Sequence, residues 1–565
     1  MPEAAETSTR RWSRAAVAAK IAGFEHGYQR TPSQRQLAQK LQVPRTTLQH
    51  WLKRKQTLDA DPAVVAFFES PAGVAFLHRL VIAAHLVMTL VGPCGIRLVC
   101  LFLELTGLDQ FVAASYGPQQ KVSVSLEQAV VAFGQAEKDR LAAGMPPKQI
   151  TVCEDETFHP EVCLVAIEPV SNFILLEQYA DNRRAETWTR AAAEATAGLP
   201  VTIVQSTSDE GRGILHHVKE DLGVHHSPDL FHVQYELIKG TSLALASQQR
   251  QAGEALAEIV TRVSRDQEKK AAALNDPTAA ELAAELAQKI KQAQAQERQA
   301  QQALEVATEQ QARAREAIQG ISAAYHPYDL KTGAARNAAQ VSATLNQHFA
   351  KIETVATTVN LAERGRARSQ KAKRVVVEMV ATIAFFFLTV QAKVEALALA
   401  PEVERAVYDN LIPAIYLRLV SEKTPDPEQR AALQDQSDAL LLPLVQSAGP
   451  LAGLEAAEKG VIETVARECA QLFQRASSCV EGRNGQLALR HHSLHRISKR
   501  KLAALTPVHN YFSERDDGTT AAERFFGAKP RNLLEYVLDR VNLPGRSAQK
   551  RSQPSLKAYL TQAIV

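Results

Sequence analysis

Three acidic residues stand where a metal-dependent enzyme acting on polynucleotides would need carboxylates. Asp155 lies in QITVCEDETFHP, Asp209 ends the apolar run LPVTIVQSTSD, and Glu481 opens EGRNGQLALRHH. Two-metal phosphoryl transfer requires carboxylates that converge on a pair of Mg²⁺ ions about 3.5–4 Å apart. Each of these residues lies near the predicted end or start of a regular element, where the scaffold can aim its side chain.

The first acidic segment leaves open which carboxylate would face a metal. In a strand, Glu154 and Glu156 share one face and Asp155 takes the other, so alternation alone cannot choose between them. Three acids at a strand end are costly to pack without a cation, because like charges raise one another's pKa. A solvated strand end is the alternative interpretation of this motif.

A second acidic region follows the strand-like run that ends at Asp209. A turn from strand to helix is a common place to expose a functional side chain, although Asp209 can equally be an ordinary helix cap. Further along, Asp229 and His232 are three residues apart at a predicted helix start, on one face. They are either a supporting pair at a metal site or a capping Asp beside a structural His.

The third acidic region combines a carboxylate with basic and amide side chains. Glu481 is predicted at a helix start, where its carboxylate would face the metals. Arg483, Asn484 and Arg490 would then form a basic face that holds DNA phosphates. Glu523, in AAERFF, is the rival for the third acid.

The elements that must position these residues have α/β character between 149 and 232. ITVCEDE, EVCLVAIE and NFILLEQYA read as three strands, followed by a helix over 186–197, a strand in VTIVQS and a helix over 213–222. The order β-β-β-α-β-α resembles an RNase H-like core, in which the first and fourth strands are neighbours at the centre of the sheet.

Near the N-terminus, residues 33–55 have the rhythm of a helix-turn-helix unit. Ser33 can cap a first helix, Val43 and Pro44 make the turn, and a second helix runs over 46–53 with Leu48, Trp51 and Leu52 facing inward. The predicted exposed face carries side chains that reach bases and phosphates: Arg45, Thr47, Gln49, His50 and Lys53. A plain helical hairpin is the alternative.

Charge is distributed unevenly along the chain. Residues 1–55 carry 11 Lys/Arg against 3 Asp/Glu, and residues 482–565 carry 15 against 6, whereas the chain as a whole is only +4. Both ends therefore read as surfaces for a polyanion. The six cysteines form no C-x-x-C motif, which favours a reduced cytoplasmic setting. Charged or breaking residues interrupt the apolar stretches 80–103 and 375–391, which predicts buried helices and no membrane span.

A long helical block is predicted over about 235–475. Its segment 278–319 consists almost wholly of strong helix formers and predicts one arm of an antiparallel coiled coil, with low-complexity disorder as the alternative. A narrow apolar seam is available at Leu282, Leu286, Ile290, Leu304 and Ala307. The basic run 363–374 reads by default as a solvated helix face and otherwise as a DNA contact. Residues 422–439 read as a polar loop.

Taken together, the motifs resemble those of DDE transposases of bacterial insertion sequences. The similarity rests on D-E-T-F-H-P and on S-D-E-G-R-G-I, which is followed by D-L-F-H-V like the C/D-x-x-H motif of Mutator-like and hAT-like enzymes. It also rests on V-E-G-R-N-G, like the E-x-x-N segment that carries the last acid, and on the C-terminal VHNYFSERDDGTTAAERFFG. The resemblance spans roughly residues 30–540, and its motifs are short.

The resemblance implies that Asp155, Asp209 and Glu481 bind two catalytic Mg²⁺ ions, for which Mn²⁺ is expected to substitute. The expected fold is mixed α and α/β, with an RNase H-like core interrupted by a large all-α insertion. The expected divisions are a helix-turn-helix region (1–60), a helical linker or second helical domain (61–145), the first part of the core (146–235), the insertion with its coiled-coil arm (236–475), the last part of the core (476–545) and a basic tail (546–565).

The expected activity is DNA cleavage and strand transfer at the ends of an insertion sequence. Its partners would be double-stranded DNA, as terminal inverted repeats and target, and a second copy of the chain in a synaptic complex. The expected location is the bacterial cytoplasm, at the nucleoid, without a membrane. Two alternatives stay open: a non-catalytic DNA-binding protein derived from a transposase, and another RNase H-like nuclease.

Overall fold

A computed structural model describes residues 12, 14–28, 33–55, 60–158, 161–275 and 278–545. The protein is mostly helical and contains one mixed five-stranded sheet. This confirms the predicted mixed α and α/β class at that level. The expected basic tail, 546–565, lies outside the described residues.

The N-terminal region contains three short helices that share a small core. They are α1 (Arg14–Tyr28), α2 (Gln34–Lys40) and α3 (Arg45–Lys55). The Ser33 hydroxyl accepts a hydrogen bond from the Gln36 amide and caps α2, as predicted. Leu48 is buried, and Trp51 and Leu52 pack against the same cluster. The second helix of the predicted pair begins at Arg45, one residue earlier than expected.

The next helices lie between the N-terminal region and the first strand in the sequence. They are α4 (Pro62–Phe68), α5 (Pro71–His85), α6 (Ile96–Leu105) and α7 (Tyr116–Ala142), with a π-helical turn over Leu86–Val91 and a 3₁₀ turn over Leu108–Gln110. Leu126, Val130 and Phe133 of α7 are fully buried in the core that also holds the first strands. Helix α7 is thus part of the sheet's own packing layer, whereas Leu77 of α5 and Val99 and Leu103 of α6 belong to a separate small core.

Within the described part of the chain, two helical segments are long and apolar enough to cross a membrane, Pro71–Val91 and Glu363–Glu395. Each contributes a fully buried face to a protein core. Leu77 and Val81 are buried in the first segment, and Met379 and Ile383 in the second. Core helices of globular proteins pass the same length and hydropathy test.

The sheet contains the four strands predicted above and a fifth, short strand that follows them. They are β1 (Lys148–Phe158), β2 (Val162–Glu168), β3 (Phe173–Ala180), β4 (Val201–Ser208) and β5 (His225–Pro228). Their order is β3-β2-β1-β4-β5. Strand β2 is antiparallel to β1 and β3, whereas β4 is parallel to β1 and β5 is parallel to β4. The first and fourth strands are neighbours, as expected.

Helical layers cover the two faces of the sheet, because alternate side chains point to opposite faces. On one face lie α8 (Ala185–Thr196) and α9 (Arg212–His216), which continues as a π-helical turn over His217–Asp221. Trp188, Ile214 and Val218 of this layer pack against Leu164 and Leu176 of the sheet. The other face holds Cys163, Val165 and Ile167 against α7 and the C-terminal helices.

A long helical hairpin leaves the edge of the sheet. Helices α10 (Leu230–Leu274) and α11 (Ala280–Ala324) each have 45 residues, which corresponds to about 67 Å of helix. They lie antiparallel, since Gln249 bonds to Thr308 near the base and Arg262 bonds to Gln296 further out. The predicted antiparallel arm is therefore present.

The seam of the hairpin differs by one position from the predicted one. Leu286 and Ile290 are buried, and Leu304 and Ala307 are half-buried. Leu282 is 51% exposed, and Ala283 occupies the seam in its place. The small Ala283 side chain packs with Ala273 of the other helix near the tip of the hairpin.

The remaining insertion forms a separate helical core. Its helices are α12 (Ala338–Thr358), α13 (Glu363–Arg374), α14 (Val376–Glu395), α15 (Pro401–Ala406), α16 (Ile412–Glu422), α17 (Pro427–Val445) and α18 (Ala456–Leu472), with a π-helical turn over Val407–Leu411. The expected polar loop over 422–439 is wrong, because α17 occupies most of it. Asp426 caps this helix by accepting from the Glu428 and Gln429 amides, and Leu433 supplies a buried contact.

The chain then returns to the sheet. Its last helices are α19 (Ser478–Leu494), α20 (Lys499–Tyr511), α21 (Ala521–Phe526) and α22 (Leu533–Leu538). Val480, Leu505 and Phe525 are buried in the same core as β1, β2 and β3. The sheet therefore receives its covering helices from both sides of the insertion in the sequence.

Candidate functional site

The pairing of β1 with β4 brings two of the predicted acids to adjacent positions. Glu154 is paired with Ser208 across the parallel ladder, so Asp155 and Asp209 occupy the next positions on the two chains. Neighbouring strands are about 4.8 Å apart. Asp209 follows the last residue of β4, and its carboxylate accepts a hydrogen bond of 2.9 Å from the Gly211 amide.

The structure separates the three consecutive acids of β1. Glu154 is buried and accepts a 2.5 Å hydrogen bond from Ser206, with His217 3.5 Å away. Glu156 accepts from the Trp188 indole and pairs with Arg183. Both side chains therefore lie on the face covered by α8 and the His217 turn.

Asp155 faces the opposite layer, where α19 lies. Its side chain accepts hydrogen bonds from the Asn484 amide group, at 2.9 Å, and from the Glu156 backbone, at 2.8 Å. Burial raises the pKa of Asp155 to about 7, and the negative charges of Glu481 and Asp209 act in the same direction. The two hydrogen bonds and the charge of His232 favour the ionised form, but they do not outweigh burial and the neighbouring acids.

Glu481 completes the acidic group from the first turn of α19. Burial raises its pKa, and the charges of Asp229 and Asp209 also raise it while His232 opposes them. Ligand atoms of Glu481, Asp229 and His232 all lie within 4.8 Å of one another. Carboxylates from three distant parts of the sequence are therefore close enough to influence one another.

Asp229 and His232 form a fixed pair at the start of α10. Asp229 is 2% exposed, and it accepts from the Ser477 hydroxyl at 2.6 Å and from the Phe231 amide at 2.8 Å. It also bonds to Nδ1 of His232 at 2.8 Å. The hydrogen bond from Asp229 raises the pKa of His232 to about 9, with the charges of Asp209 and Asp155 contributing. Asp229 thus caps the helix and also orients a cationic imidazole.

Carboxylate oxygens are ligands that hard divalent cations such as Mg²⁺ and Mn²⁺ prefer. Among the described residues, the group whose ligand atoms lie within 4.8 Å of one another is Asp229, His232 and Glu481. The Asp155 and Asp209 carboxylates are close enough to this group to act on the charge of His232. The Asn484 side-chain oxygen is buried beside Asp155 without a hydrogen-bond partner among the described residues. A buried, unpaired oxygen next to a carboxylate with a raised pKa is the environment that a cation would relieve.

Two predicted DNA contacts have other roles in the structure. Arg483 is buried and makes a bidentate ion pair with Glu177 of β3, at 2.6 and 2.7 Å. Arg490 donates to the backbone carbonyls of Leu90, Val91 and Gly92 at the end of a π-helical turn. Both guanidinium groups thus anchor α19 to its surroundings, and their contact with DNA phosphate stays a prediction.

Asn484 also differs from its predicted role. It lies one turn after Glu481 and donates to Asp155, so it links the third acidic element to the first. The structure thus gives Asn484 a contact with a carboxylate of the site, which the sequence did not indicate. Its predicted contact with DNA phosphate stays a prediction.

Glu523, the rival third acid, lies at the other end of the sheet. It belongs to α21, whose Phe525 carbonyl accepts a hydrogen bond from the Lys148 side chain at the start of β1. Asp155 comes seven residues later in the same strand, about 23 Å away in extended chain. The structure therefore brings Glu481, and not Glu523, to Asp155.

The predicted DNA-reading residues of α3 lie on its surface, with one exception. Arg45, Gln49, His50 and Lys53 are exposed, whereas Thr47 is half-buried. Gln49 also makes a hydrogen bond of 3.2 Å to Gln34 of α2. Three of the four exposed residues carry basic or titratable groups that can meet a polyanion.

Two residues of the site had no signal in the sequence that assigned them to it. Ser477 holds Asp229, and nothing distinguishes it from the neighbouring serine in RASSC. Lys371 lines a groove of about 220 Å³ beside Asp209, Asp229 and His232. Its basic run was visible in the sequence, but its position beside the acids depends on how α13 packs.

Comparison with known proteins identifies one similar family. Residues 407–553 match DUF6399, a family of unknown function. This is about a quarter of the chain, and it includes α19 with Glu481 but excludes the strands with Asp155 and Asp209. No curated protein and no solved structure matches the chain.

Proposed function

We propose that this protein is a DNA transposase with an RNase H-like catalytic core. The observation that carries the proposal is the convergence of Asp155, Asp209 and Glu481 from a strand, a strand end and a helix start. The order β3-β2-β1-β4-β5, with only β2 running against the others, supports the same assignment. The three exposed helices at the N-terminus fit a helix-turn-helix unit for the element's ends.

Asp155, Asp209 and Glu481 would hold two Mg²⁺ or Mn²⁺ ions. When bound, such ions supply an activated oxygen nucleophile and stabilise charge on the phosphoryl group and leaving oxygen. The protein's own side chains position this centre. Asn484 fixes the Asp155 carboxylate, and Asp229 holds the His232 ring beside the acids. The imidazolium of His232 offsets part of the negative charge that the three acids place at one point.

Cleavage of DNA that flanks the gene tests the proposal. Purified protein with Mg²⁺ should nick or cut a plasmid that carries both flanks and join the released ends to a second plasmid. Asp155→Ala, Asp209→Ala and Glu481→Ala should each abolish cutting and joining while leaving binding to the flanks intact. Glu523→Ala is the matched control and should retain activity.

The outcomes separate the proposed function from its alternatives. Flank binding without any Mg²⁺-dependent cutting would indicate a non-catalytic DNA-binding protein. Cutting of branched DNA without end joining, and without a need for the flanks, would indicate another nuclease. Loss of activity in Glu523→Ala, with retention in Glu481→Ala, would overturn the assignment of the third acid.

A further inference from the structure

Two exposed aromatic rings stand on the first turns of α10, next to the acidic group. Phe231 is 47% exposed and Tyr235 is 42% exposed. Their rings are stacked, with centroids 6.0 Å apart and planes at 14°. The Lys239 ammonium lies 4.2 Å from the centroid of the Tyr235 ring. Nearly half of each side chain is thus exposed to solvent, with the Lys239 ammonium over one face of the Tyr235 ring.

This pair adjoins the candidate site directly. Phe231 lies between Asp229 and His232 in sequence, and its ring meets the His232 ring edge-on at 5.8 Å. Residues three and four apart share one side of a helix. Phe231 and Tyr235 therefore form one stripe along α10, and His232 and Glu236 form the neighbouring stripe. His232 and Glu236 line the groove of about 220 Å³ that also contains Lys371.

The basic helix α13 forms the other wall of this groove. A Cβ atom on Gly240 would lie 2.9 Å from the Gly365 carbonyl oxygen, so the backbones of α10 and α13 are in contact where they cross. Arg368 and Glu236 pair across the crossing at 2.7 Å. Lys371 follows one turn later, and its exposed side chain lines the groove opposite His232.

We propose that this groove binds unpaired DNA beside the bond that is cut. Bases of one strand would stack on Phe231 and Tyr235, and Lys371 and Lys239 would contact its phosphates. The choice of DNA rests on the proposed function. Carboxylates repel phosphates, so a strand that passes the acidic group needs cations along its path. Ring faces can stack only on bases that are free of a duplex, which makes the site selective for single strands.

Binding of labelled oligonucleotides in EDTA tests the proposal without any catalytic step. Fluorescence anisotropy would compare a short oligothymidine with a duplex hairpin of similar charge. The double variant Phe231→Leu with Tyr235→Leu keeps an apolar surface and removes the rings. Its affinity for the single strand should fall roughly tenfold or more, with little change for the duplex. Phe76→Leu, at another exposed aromatic residue, is the matched control.

Lys371→Ala tests the phosphate contact, with Lys351→Ala on α12 as its control. The first variant should weaken single-strand binding and lower the salt dependence by about one charge, whereas the second should bind like wild type. Thermal unfolding of every variant would verify that it is folded.

Unchanged single-strand affinity in the double leucine variant would overturn the proposal. So would a wild-type dimer that the leucine substitutions convert to a monomer without loss of single-strand affinity, since the rings would then serve an interface. If the double leucine variant loses single-strand affinity but the wild type never cuts DNA, the groove binds single strands and the proposed catalytic function is wrong. If the wild type cuts DNA and the double leucine variant binds single strands normally, the proposed catalytic function stands and the single-strand groove is wrong.

Discussion

At the scale of single residues, Asp155 combines hydrogen bonding with an environment that disfavours its charge. Its two hydrogen bonds orient the carboxyl group, while burial and two nearby acids disfavour its charge. A group placed in this way destabilises the folded protein when it ionises without a cation. We therefore expect the stability of the folded protein to depend on pH and on bound metal through Asp155.

The pH dependence of unfolding without metal follows from the raised pKa. The folded protein binds the Asp155 proton up to about pH 7, whereas an unfolded Asp releases it near pH 4. Stability should therefore fall as pH rises between these values. Asp155→Asn should remove this fall and stabilise the metal-free protein at pH 8 by about 1–3 kcal/mol, with little effect at pH 4.

Urea unfolding in EDTA at pH 4, 6 and 8 would measure the effect. Substituting the exposed Asp435 by Asn provides the control, which should change stability equally little at each pH. Added Mg²⁺ should stabilise the wild type more than Asp155→Asn at pH 8. An Asp155→Asn variant that is less stable than the wild type at pH 8 in EDTA would contradict the environment described for this carboxyl group.

At the scale of elements, the position of α19 decides whether a third acid reaches the sheet. Arg483 ties this helix to β3, and Arg490 ties it to the turn after α5. Both contacts lie within three turns of Glu481. The helix is therefore held by buried polar contacts in addition to Val480 and Leu487, which are in the sheet's core.

Removal of the Arg483 side chain should be strongly destabilising. The ion pair has side-chain exposures of 5% for Arg483 and 0% for Glu177. Among the described residues, Arg483→Ala would leave this buried carboxylate with Thr506 as its one side-chain donor. We expect a loss of about 3–5 kcal/mol in the free energy of unfolding. Arg467→Ala, which breaks the exposed pair with Glu463, should cost about 0.5 kcal/mol or less.

Chemical denaturation of both variants would check this difference. Arg483→Lys should recover little, because a lysine cannot make the bidentate contact. Similar unfolding midpoints for Arg483→Ala and Arg467→Ala would show that the Arg483 pair contributes no more than a surface contact.

A further prediction is that helix α3 binds the DNA flanks in a sequence-specific way. Gln49 offers an amide for base edges, and Lys53 offers a charge for phosphates. Substituting Gln49 by Ala should change the preferred sequence among flank variants. Lys53→Ala should weaken binding to all DNA and lower the salt slope by about one. Titrations at several salt concentrations would measure both, and a truncated protein without residues 1–60 that binds the flanks normally would refute the assignment.

At the scale of the whole molecule, the α10–α11 hairpin is an arm with a buried base. Leu237, Ala317 and Ile321 belong to the insertion's core, whereas further out the two helices bury mainly their mutual seam. Isolated helices gain most of their stability from packing an apolar face, so the pair stabilises itself along this seam. The outer part is therefore separable from the core that holds the candidate site.

Shortening the arm should impair the pairing of two DNA ends without affecting the folding of the rest of the protein. Replacing residues 256–301 by a short Gly-Ser turn removes the outer hairpin and keeps its base. The thermal stability of the remaining protein should stay close to that of the wild type. Pairing of two DNA ends, measured by a paired-end gel shift and by light scattering, should be impaired. Normal pairing by the shortened protein would reduce the arm to a passive spacer.

The sequence by itself determined the elements and the chain positions of the candidate acids. Strands around Asp155 and before Asp209, the cap at Ser33 and the helix of 278–319 follow from periodicity and from contacts a few residues long. These features depend on local chain geometry, which a single sequence displays directly. The neighbouring positions of β1 and β4 are not local, and they were expected only because the order of the elements resembles an RNase H-like core.

Only the tertiary structure decided which side chains share an environment. It turned Asp155 toward α19 and its neighbours Glu154 and Glu156 away, and it buried Arg483 against Glu177, 306 positions distant. It also brought Lys371 to the acids through the contact of Gly240 with Gly365. A strand face or a charged residue acquires its partner from whatever element packs against it. That choice depends on the burial of apolar surface across the whole chain, which the periodicity of one segment does not encode.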